Sequence, residues 1–361
     1  MSEPEQIEAD RVPGAPHPRF ANKVVGHDGA IAAFTDAARN DRLHHGWLLT
    51  GPRGTGKATL AWSLAQWLLA DEDGQDIATL GDSPLSHRIR ALAEPRLHLV
   101  RRPVDEKSGR LRAEITVEEI RKLLSFFHLS AADGGCRVAI IDAADEMNTS
   151  AANAILKVLE EPPKDAILLL ISHQPARLLP TIRSRCRELR LGPVTADDMA
   201  EVLQQLGIQG APDRLAALSG GSIGEAVRLA GQSGLSVYQQ IVDLFTGFPR
   251  IDRSAALRLA ETAGARPGAD GDPFDLTVTL LDRFLTRAAR AGLMGPPLPE
   301  AADGEAALFT RISADDIAAR NWAAAQAELS ARARSGRAVN LDPSALVLDM
   351  LIGLAQQKAV T

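Results

Sequence analysis

The chain has 361 residues, of which 45% are hydrophobic and 24% charged, and its formal net charge at pH 7 is -6. A chain of this length and balance can bury two or three hydrophobic cores, which excludes an intrinsically disordered protein. The acidic balance and the 4% aromatic content argue against a self-sufficient nucleic-acid binder, which needs basic surface and stacking side chains. Any contact with DNA is expected to be local or shared with partners.

The two cysteines, Cys136 and Cys186, are too few for a four-cysteine zinc module or a disulfide framework. We therefore predict that the protein binds no zinc and has no other metal centre. The sequence contains nothing that resembles a secretory signal or a membrane span. These features predict a protein of the reducing cytoplasm that does not contact a membrane.

Residues 1–23 mix acidic residues and prolines without periodicity, which predicts a flexible leader. From residue 24 to 192, short apolar runs alternate with segments of helical periodicity, which predicts an α/β domain with a parallel sheet. The apolar runs that predict strands are 47–49, 138–141 and 167–171. A helical segment that contains Ile155, Leu156 and Leu159 must end at Pro162 and Pro163, because proline cannot continue a helix.

The second half of the chain has helical patterns only. Thr195 with Asp198 gives a helix-capping pattern that opens a small helical domain over 193–235. Long amphipathic stretches separated by Gly- and Pro-rich segments then predict a third, all-helical domain over 236–361.

A glycine-rich loop follows the first predicted strand and reads Gly51-Pro-Arg-Gly54-Thr-Gly56-Lys57. Strand, glycine loop and helix in this order are typical of a phosphate-binding loop, in which backbone N–H groups cradle phosphates and the lysine reaches the outer ones. Two interpretations stay open for this loop. It binds a nucleotide weakly, or it survives as a packed element of the fold.

The groups that would bind magnesium and activate water are incomplete. Ala58 stands where a Ser or Thr hydroxyl would join the magnesium shell, and Thr59 is turned about 100° further around the helix. Asp142 ends a buried strand as a magnesium-holding aspartate does, but Ala143 after it cannot polarise a water. Asp145 and Glu146 fall in the next turn, where a solvated face is expected. We predict no independent ATP hydrolysis.

Two segments resemble the bacterial clamp-loader subunits, which are AAA+ proteins. They are Asn153-Ala-Ile-Leu-Lys157-Val-Leu-Glu-Glu-Pro-Pro163 and Pro180-Thr-Ile-Arg-Ser184-Arg185-Cys186. The resemblance covers roughly residues 24–228, and 340–343 resembles the start of the family's last helix. It implies a RecA-like domain over 24–192, a helical lid over 193–235 and a helical collar over 236–361. In this family the collar joins subunits into a ring that loads a sliding clamp onto primed DNA.

The resemblance assigns Arg185 the role of an arginine finger that reaches the ATP phosphate of a neighbouring subunit. A guanidinium suits this role because it stays charged and grips oxygens in bidentate fashion. The alternative for Arg185 is a surface salt bridge. Ser184 and Cys186 complete the motif, and Cys186 is expected to pack as a small hydrophobe. The neighbouring arginines read as solvated charges; they are Arg183, Arg187 and Arg190.

The family's two nucleotide sensors are altered or ambiguous in this chain. Gly224 stands where the family has the arginine of its second sensor, and Arg228 lies one helical turn later. Ser172 and His173 fall where the first sensor usually lies, and His173 is either a loop hydrogen-bonding residue or a phosphate sensor.

The magnesium hydroxyl, the catalytic glutamate and the sensor arginine are absent together, while Arg185 is kept. This combination resembles the delta-prime subfamily of DNA polymerase III. It implies a non-hydrolysing subunit that assembles with gamma/tau and delta subunits, acts on the sliding clamp and primed DNA through the assembly, and requires no cofactor, with weak ATP or ADP binding left open. The alternative is an active ATPase of the gamma/tau type.

Overall fold

The computed structural model describes residues 8–12, 15–70, 76–78, 81–105, 107–128, 135–268 and 271–356. The chain divides into two compact units, Met1–Val194 and Thr195–Thr361. Among the described residues, no helix combines the length and the apolar character needed to cross a membrane.

The first unit is built on a parallel sheet of five strands, as far as the chain is described, in the order β2-β3-β4-β1-β5. The strands are β1 Gly46–Thr50, β2 Leu97–Arg101, β3 Arg137–Asp142, β4 Ala166–Ser172 and β5 Arg187–Arg190. The three predicted strands are confirmed as β1, β3 and β4. The edge strands β2 and β5 were not predicted, because both are partly exposed and neither has the continuous apolar run of a buried strand. His98 interrupts the apolar residues of β2, and three of the four residues of β5 are charged.

Helices cover both faces of this sheet. They are α1 Asp28–Arg39, α2 Lys57–Leu69, α3 Pro84–Arg90, α4 Val117–His128, α5 Thr149–Glu160 and the short α6 Pro180–Arg183. Alternate side chains of β1 enter two different cores: Trp47 and Leu49 pack with α2, whereas Leu48 packs with α4 and α5. Helix α5 ends at Glu160, two residues before Pro162, as predicted. The α/β class of this unit is confirmed.

Residues 8–12 form ion pairs with Arg101 of β2, and residues 17–20 pack against α2 and α3, instead of forming a flexible leader. Asp10 is buried; its carboxylate pairs with Arg101 Nη1 at 2.6 Å and with His17 Nε2 at 2.8 Å. Glu8 pairs with Arg19 Nη1 at 2.6 Å. The local composition suggested a solvated segment, but these acids find basic partners that only folding brings to them. Residues 1–7 and 13–14 of the predicted leader lie outside the described residues.

The second unit is helical throughout its described part, as predicted. Its helices are α7 Ala196–Gln205, α8 Pro212–Ser219, α9 Ile223–Gly231, α10 Gly234–Phe245, α11 Arg253–Ala263, α12 Pro273–Met294, α13 Glu305–Ile312, α14 Asp316–Ala338 and α15 Pro343–Gln356. Thr195 caps α7 by accepting a hydrogen bond from the N–H of Asp198 at 3.1 Å, which confirms the capping pattern. The division of this unit into a lid and a collar at residue 235 stays a prediction.

Candidate functional site

The glycine loop lies between β1 and α2, and its backbone conformation requires glycine. Gly51 has φ +144°, and a Cβ added there would lie 2.1 Å from the carbonyl oxygen of Leu191. Gly54 and Gly56 have φ of +77° and +90°, in the left-handed region that other residues avoid. The predicted order of strand, loop and helix is confirmed, and the helix begins at Lys57.

Lys57 is buried and bonds to its own loop. Its Nζ donates to the carbonyl oxygen of Gly51 at 2.9 Å and to that of Pro52 at 2.5 Å. Burial lowers the pKa of Lys57 to about 8, although the nearby carboxylates of Asp142 and Asp145 oppose the shift. The ammonium group thus lies beside loop carbonyls and near two acids at the carboxyl edge of the sheet.

Asp142 ends β3 and is buried beside this lysine. Burial raises the pKa of Asp142 to about 7, and the carboxylates of Asp10 and Glu146 raise it further, against the opposing charge of Lys57. A substantial fraction of the carboxyl group is therefore protonated at neutral pH. A metal ion that bound here would have to displace this proton, because a carboxylate ligand must be deprotonated.

Ala58 and Ala143 both have packing roles. Ala58 packs against the core between α2 and the sheet, and Ala143 is buried. Thr59, the neighbouring hydroxyl on α2, is half-buried one position further along the helix. Neither alanine side chain can bind a cation or orient a water.

The acidic pair Asp145 and Glu146 forms bonds instead of a solvated face. Asp145 Oδ1 accepts a hydrogen bond from the backbone N–H of His173 at 2.8 Å. Glu146 pairs with Arg53 at 3.0 Å and with Arg102 at 2.7 Å. The expectation of a solvated face was wrong because Arg102, which follows the neighbouring strand β2, approaches this turn only when β2 pairs with β3.

His173 and Ser172 present polar atoms without partners beside the loop. Within the described residues, His173 Nδ1 and Ser172 Oγ are buried and have no hydrogen-bond partner. Burial lowers the pKa of His173 to about 4, helped by the charges of Lys57 and Arg53, so the imidazole is neutral at pH 7. Unsatisfied buried polar atoms are uncommon in proteins, and these two suit a bound anion or an ordered water.

His27, which was not predicted as a site residue, also contacts the glycine loop. Its Nε2 lies 2.6 Å from the carbonyl oxygen of Thr55, and it stands 3.5 Å from the Cβ position of Gly56. A lone histidine just before a helix carries no recognisable motif, so local sequence could not identify this contact.

Arg185 lies at the opposite edge of the sheet from the glycine loop. Its backbone oxygen is 3.4 Å from the Cβ position of Gly46, which begins β1, whereas the loop follows Thr50 at the other end of that strand. The two edges are roughly 13 Å apart along the strand, at about 3.3 Å per residue. The structure therefore does not bring Arg185 together with Lys57 and Asp142 in one chain.

Arg185 is bonded within its own unit. Its Nη2 pairs with Glu160 Oε1 at 2.9 Å, and its Nη1 donates to the carbonyl oxygen of Thr181 at 3.1 Å. The side chain remains 37% exposed. The salt bridge that the sequence analysis left open for Arg185 is thus present, and it leaves part of the guanidinium accessible.

The residues next to Arg185 have structural contacts. Ser184 Oγ donates to the carbonyl oxygen of Thr181 at 3.2 Å. Cys186 packs against the core under α5, as expected, and burial raises its pKa to about 12. Arg183 and Arg190 are exposed, whereas the Arg187 guanidinium lies over the Trp47 ring, 5.2 Å from its centroid.

In the second unit, Arg228 is held on its own helix. Its guanidinium pairs with Glu225 at 2.7 Å, and the same carboxylate accepts Arg283 of α12 at 2.9 Å. These bonds compete with any contact to a nucleotide. Across the described part of the chain, no group of three or more His, Cys, Asp or Glu residues is placed to hold a metal ion, and the absence of zinc stays a prediction.

Comparison with known proteins finds similarity to subunits of DNA polymerase III. The family described as "DNA polymerase III, delta subunit" matches residues 26–195. The delta′ subunit of DNA polymerase III from Pseudomonas aeruginosa is 35% identical over 62% of this chain and 66% of its own length. The tau subunit from Escherichia coli is 29% identical over 68% of this chain and 38% of its own length. The matched region thus spans less than two thirds of either relative.

Among solved structures, a gamma subunit-related protein of DNA polymerase III from Thermotoga maritima is 16% identical. The match covers 90% of this chain and 99% of that protein, with a TM-score of 0.40.

Proposed function

We propose that the protein is a delta-prime-type clamp-loader subunit that hydrolyses no ATP itself. The match of residues 26–195 to the family described as "DNA polymerase III, delta subunit" and the 35% identity to a delta′ subunit support this proposal. In this proposal it assembles with gamma/tau and delta subunits into the clamp loader, a component of the DNA polymerase III holoenzyme. Through that assembly it helps to place a sliding clamp on primed DNA in the cytoplasm.

The observation that carries the proposal is the position of Arg185 at the sheet edge opposite its own glycine loop. An arginine in this place cannot complete the site of its own chain. It remains partly exposed, with guanidinium hydrogens available to an outside acceptor. Both properties favour an arginine finger that acts in trans on the ATP of a neighbouring subunit.

The state of the chain's own loop supports the absence of hydrolysis. Ala58 and Ala143 remove a magnesium ligand and a water-polarising group, and Asp142 has a pKa near 7. Lys57 lies in the glycine loop, and within the described part of the chain the buried His173 Nδ1 and Ser172 Oγ have no hydrogen-bond partner. The proposal therefore includes weak, magnesium-independent binding of ATP or ADP as a structural ligand.

The test is the DNA-stimulated ATPase activity of a clamp loader rebuilt from this chain and its gamma/tau and delta partners. Arg185→Ala is compared with wild type and with Arg183→Ala, an exposed arginine of the same motif. Loss of an arginine finger lowers turnover by roughly 10³-fold or more at the affected site. We expect such a loss for Arg185→Ala alone, with normal assembly. Full activity of this variant in an intact assembly would make the chain a passive scaffold.

The similarity to tau favours one competing function, an active ATPase of the gamma/tau type. ATP turnover by this chain alone discriminates between the two. Turnover that Lys57→Met abolishes would establish the enzyme, whereas we expect none above the background of that variant.

A further inference from the structure

Glu160 is the last residue of α5, and its carboxylate holds the guanidinium of Arg185. Oε1 lies 2.9 Å from Nη2, while Nη1 donates to the carbonyl oxygen of Thr181 at 3.1 Å. A guanidinium has five N–H donors. Within the described part of the chain these two bonds occupy one donor on each Nη, which leaves three donors for a further acceptor.

The stability of α5 does not account for a glutamate at this position. The carboxyl end of a helix carries a partial negative charge, so an acidic residue there is unfavourable. Glu160 and Arg185 remain 49% and 37% exposed, and exposed ion pairs contribute little to folding. The pair therefore has more effect on the conformation of Arg185 than on the stability of the unit.

The backbone on both sides of this ion pair is fixed by the start of β1. The carbonyl oxygen of Leu159, the residue before Glu160, accepts a hydrogen bond from His45 Nε2 at 3.0 Å. A Cβ at Gly46 would lie 3.0 Å from the Leu159 side chain and 3.4 Å from the Arg185 backbone oxygen. Glu160 thus reaches Arg185 from an anchored helix end and not from a loop.

We propose that Glu160 is the positioning residue of Arg185. With Thr181 it fixes the plane of the guanidinium before a partner arrives, and the three remaining donors then grip the phosphate oxygens of ATP bound to the neighbouring subunit. Ordering a long side chain beforehand lowers the entropic cost of the contact and keeps its geometry reproducible. This inference rests on the proposed trans-acting role of Arg185.

The first test measures the order of the Arg185 side chain in the isolated protein, from nitrogen-15 relaxation of its Nε–H group. The signal is identified by its absence in Arg185→Ala. Glu160→Gln removes the charge that holds the guanidinium, so we expect a clear loss of order. Glu161→Gln, which removes the same charge one residue later, should leave the signal unchanged. An equally ordered Arg185 in Glu160→Gln would overturn the proposal.

The second test measures kcat and KM for ATP in the rebuilt clamp loader. Glu160→Gln is expected to lower kcat about tenfold with KM unchanged, within the roughly hundredfold loss that an ångström-scale misplacement can cause. Glu160→Asp should recover part of the loss, and Glu161→Gln should match wild type.

The outcomes separate the two proposals. If Arg185→Ala is inactive but Glu160→Gln has a normal or raised kcat, the positioning role is wrong while the finger role stands; a raised kcat would show that Glu160 restrains Arg185. If Arg185→Ala is fully active in an intact assembly, both proposals fail.

Discussion

Burial shifts the pKa values of Lys57 and Asp142 toward each other, to about 8 for the lysine and about 7 for the aspartic acid. The two groups lie close enough for each charge to oppose the other's shift. The loop site therefore holds a lysine and an aspartic acid that both change protonation near neutral pH, far from the ordinary pKa values of these side chains.

The first prediction concerns the pH dependence of stability. The folded-state pKa of Asp142 lies above its unfolded value of 3.8, so its ionisation destabilises the protein as pH rises from 3.8 through 7. Asp142→Asn removes the ionisable carboxyl group and with it this pH-dependent destabilisation. Relative to wild type, its free energy of unfolding should increase by about 3 kcal/mol between pH 5 and pH 8. Urea unfolding at both pH values measures the difference, and a constant difference would show that the carboxyl group is ionised at both.

The second prediction concerns nucleotide binding by the isolated chain. Since Ala58 offers no hydroxyl and Asp142 is partly protonated, ADP should bind weakly and equally well with magnesium or with EDTA. Lys57→Met should abolish binding, because it removes the cation that faces the phosphates. Ala58→Thr restores the missing hydroxyl, so ADP binding by this variant should depend on magnesium and serves as the reference. Calorimetric titration with ADP measures all three proteins, and strong magnesium dependence in wild type would contradict the expectation.

The third prediction concerns the conformation of the glycine loop. Gly51→Ala forces a Cβ to within 2.1 Å of a backbone oxygen at φ +144°, so it should destabilise the first unit by about 3 kcal/mol or more. Gly192→Ala is the control, since a Cβ there meets no atom within 4 Å. Thermal unfolding compares the variants. Similar melting temperatures for the two would mean that the loop adopts another conformation in solution.

The fourth prediction concerns the packed N-terminal segment. Burial alone would raise the pKa of Asp10, but the hydrogen bond with His17 and the charge of Arg101 lower it below 3.8. Its ion pairs therefore stabilise the protein above that pH and are lost as the pH falls.

Asp10→Asn should accordingly cost about 3 kcal/mol at pH 7, because it leaves Arg101 partly unpaired in a buried position. Asp82→Asn, at an exposed carboxylate with 74% exposure, should cost less than about 1 kcal/mol. Denaturant unfolding of both variants at pH 7 measures these costs, and equal costs would argue that residues 8–12 do not pack against the sheet.

The fifth prediction separates the stability role of Arg185 from its proposed function. Its ion pair with Glu160 is partly exposed, so Arg185→Ala should change the free energy of unfolding of the isolated chain by less than about 1 kcal/mol. A much larger loss, measured by urea unfolding, would show that Arg185 is mainly a structural residue.

The amino-acid sequence alone determined the buried strands, the glycine loop, the helix end before Pro162 and the loss of polar groups at Ala58 and Ala143. These features depend on residue type and on near neighbours in the chain, which fix backbone conformation and side-chain chemistry. Tertiary structure decided the rest. The edge strands β2 and β5 lack a continuous apolar signal and are defined by their partners. The pKa of Asp142 depends on burial and on Asp10, and the conformation of Arg185 depends on Glu160, because folding alone brings such distant charges together and removes water from around them.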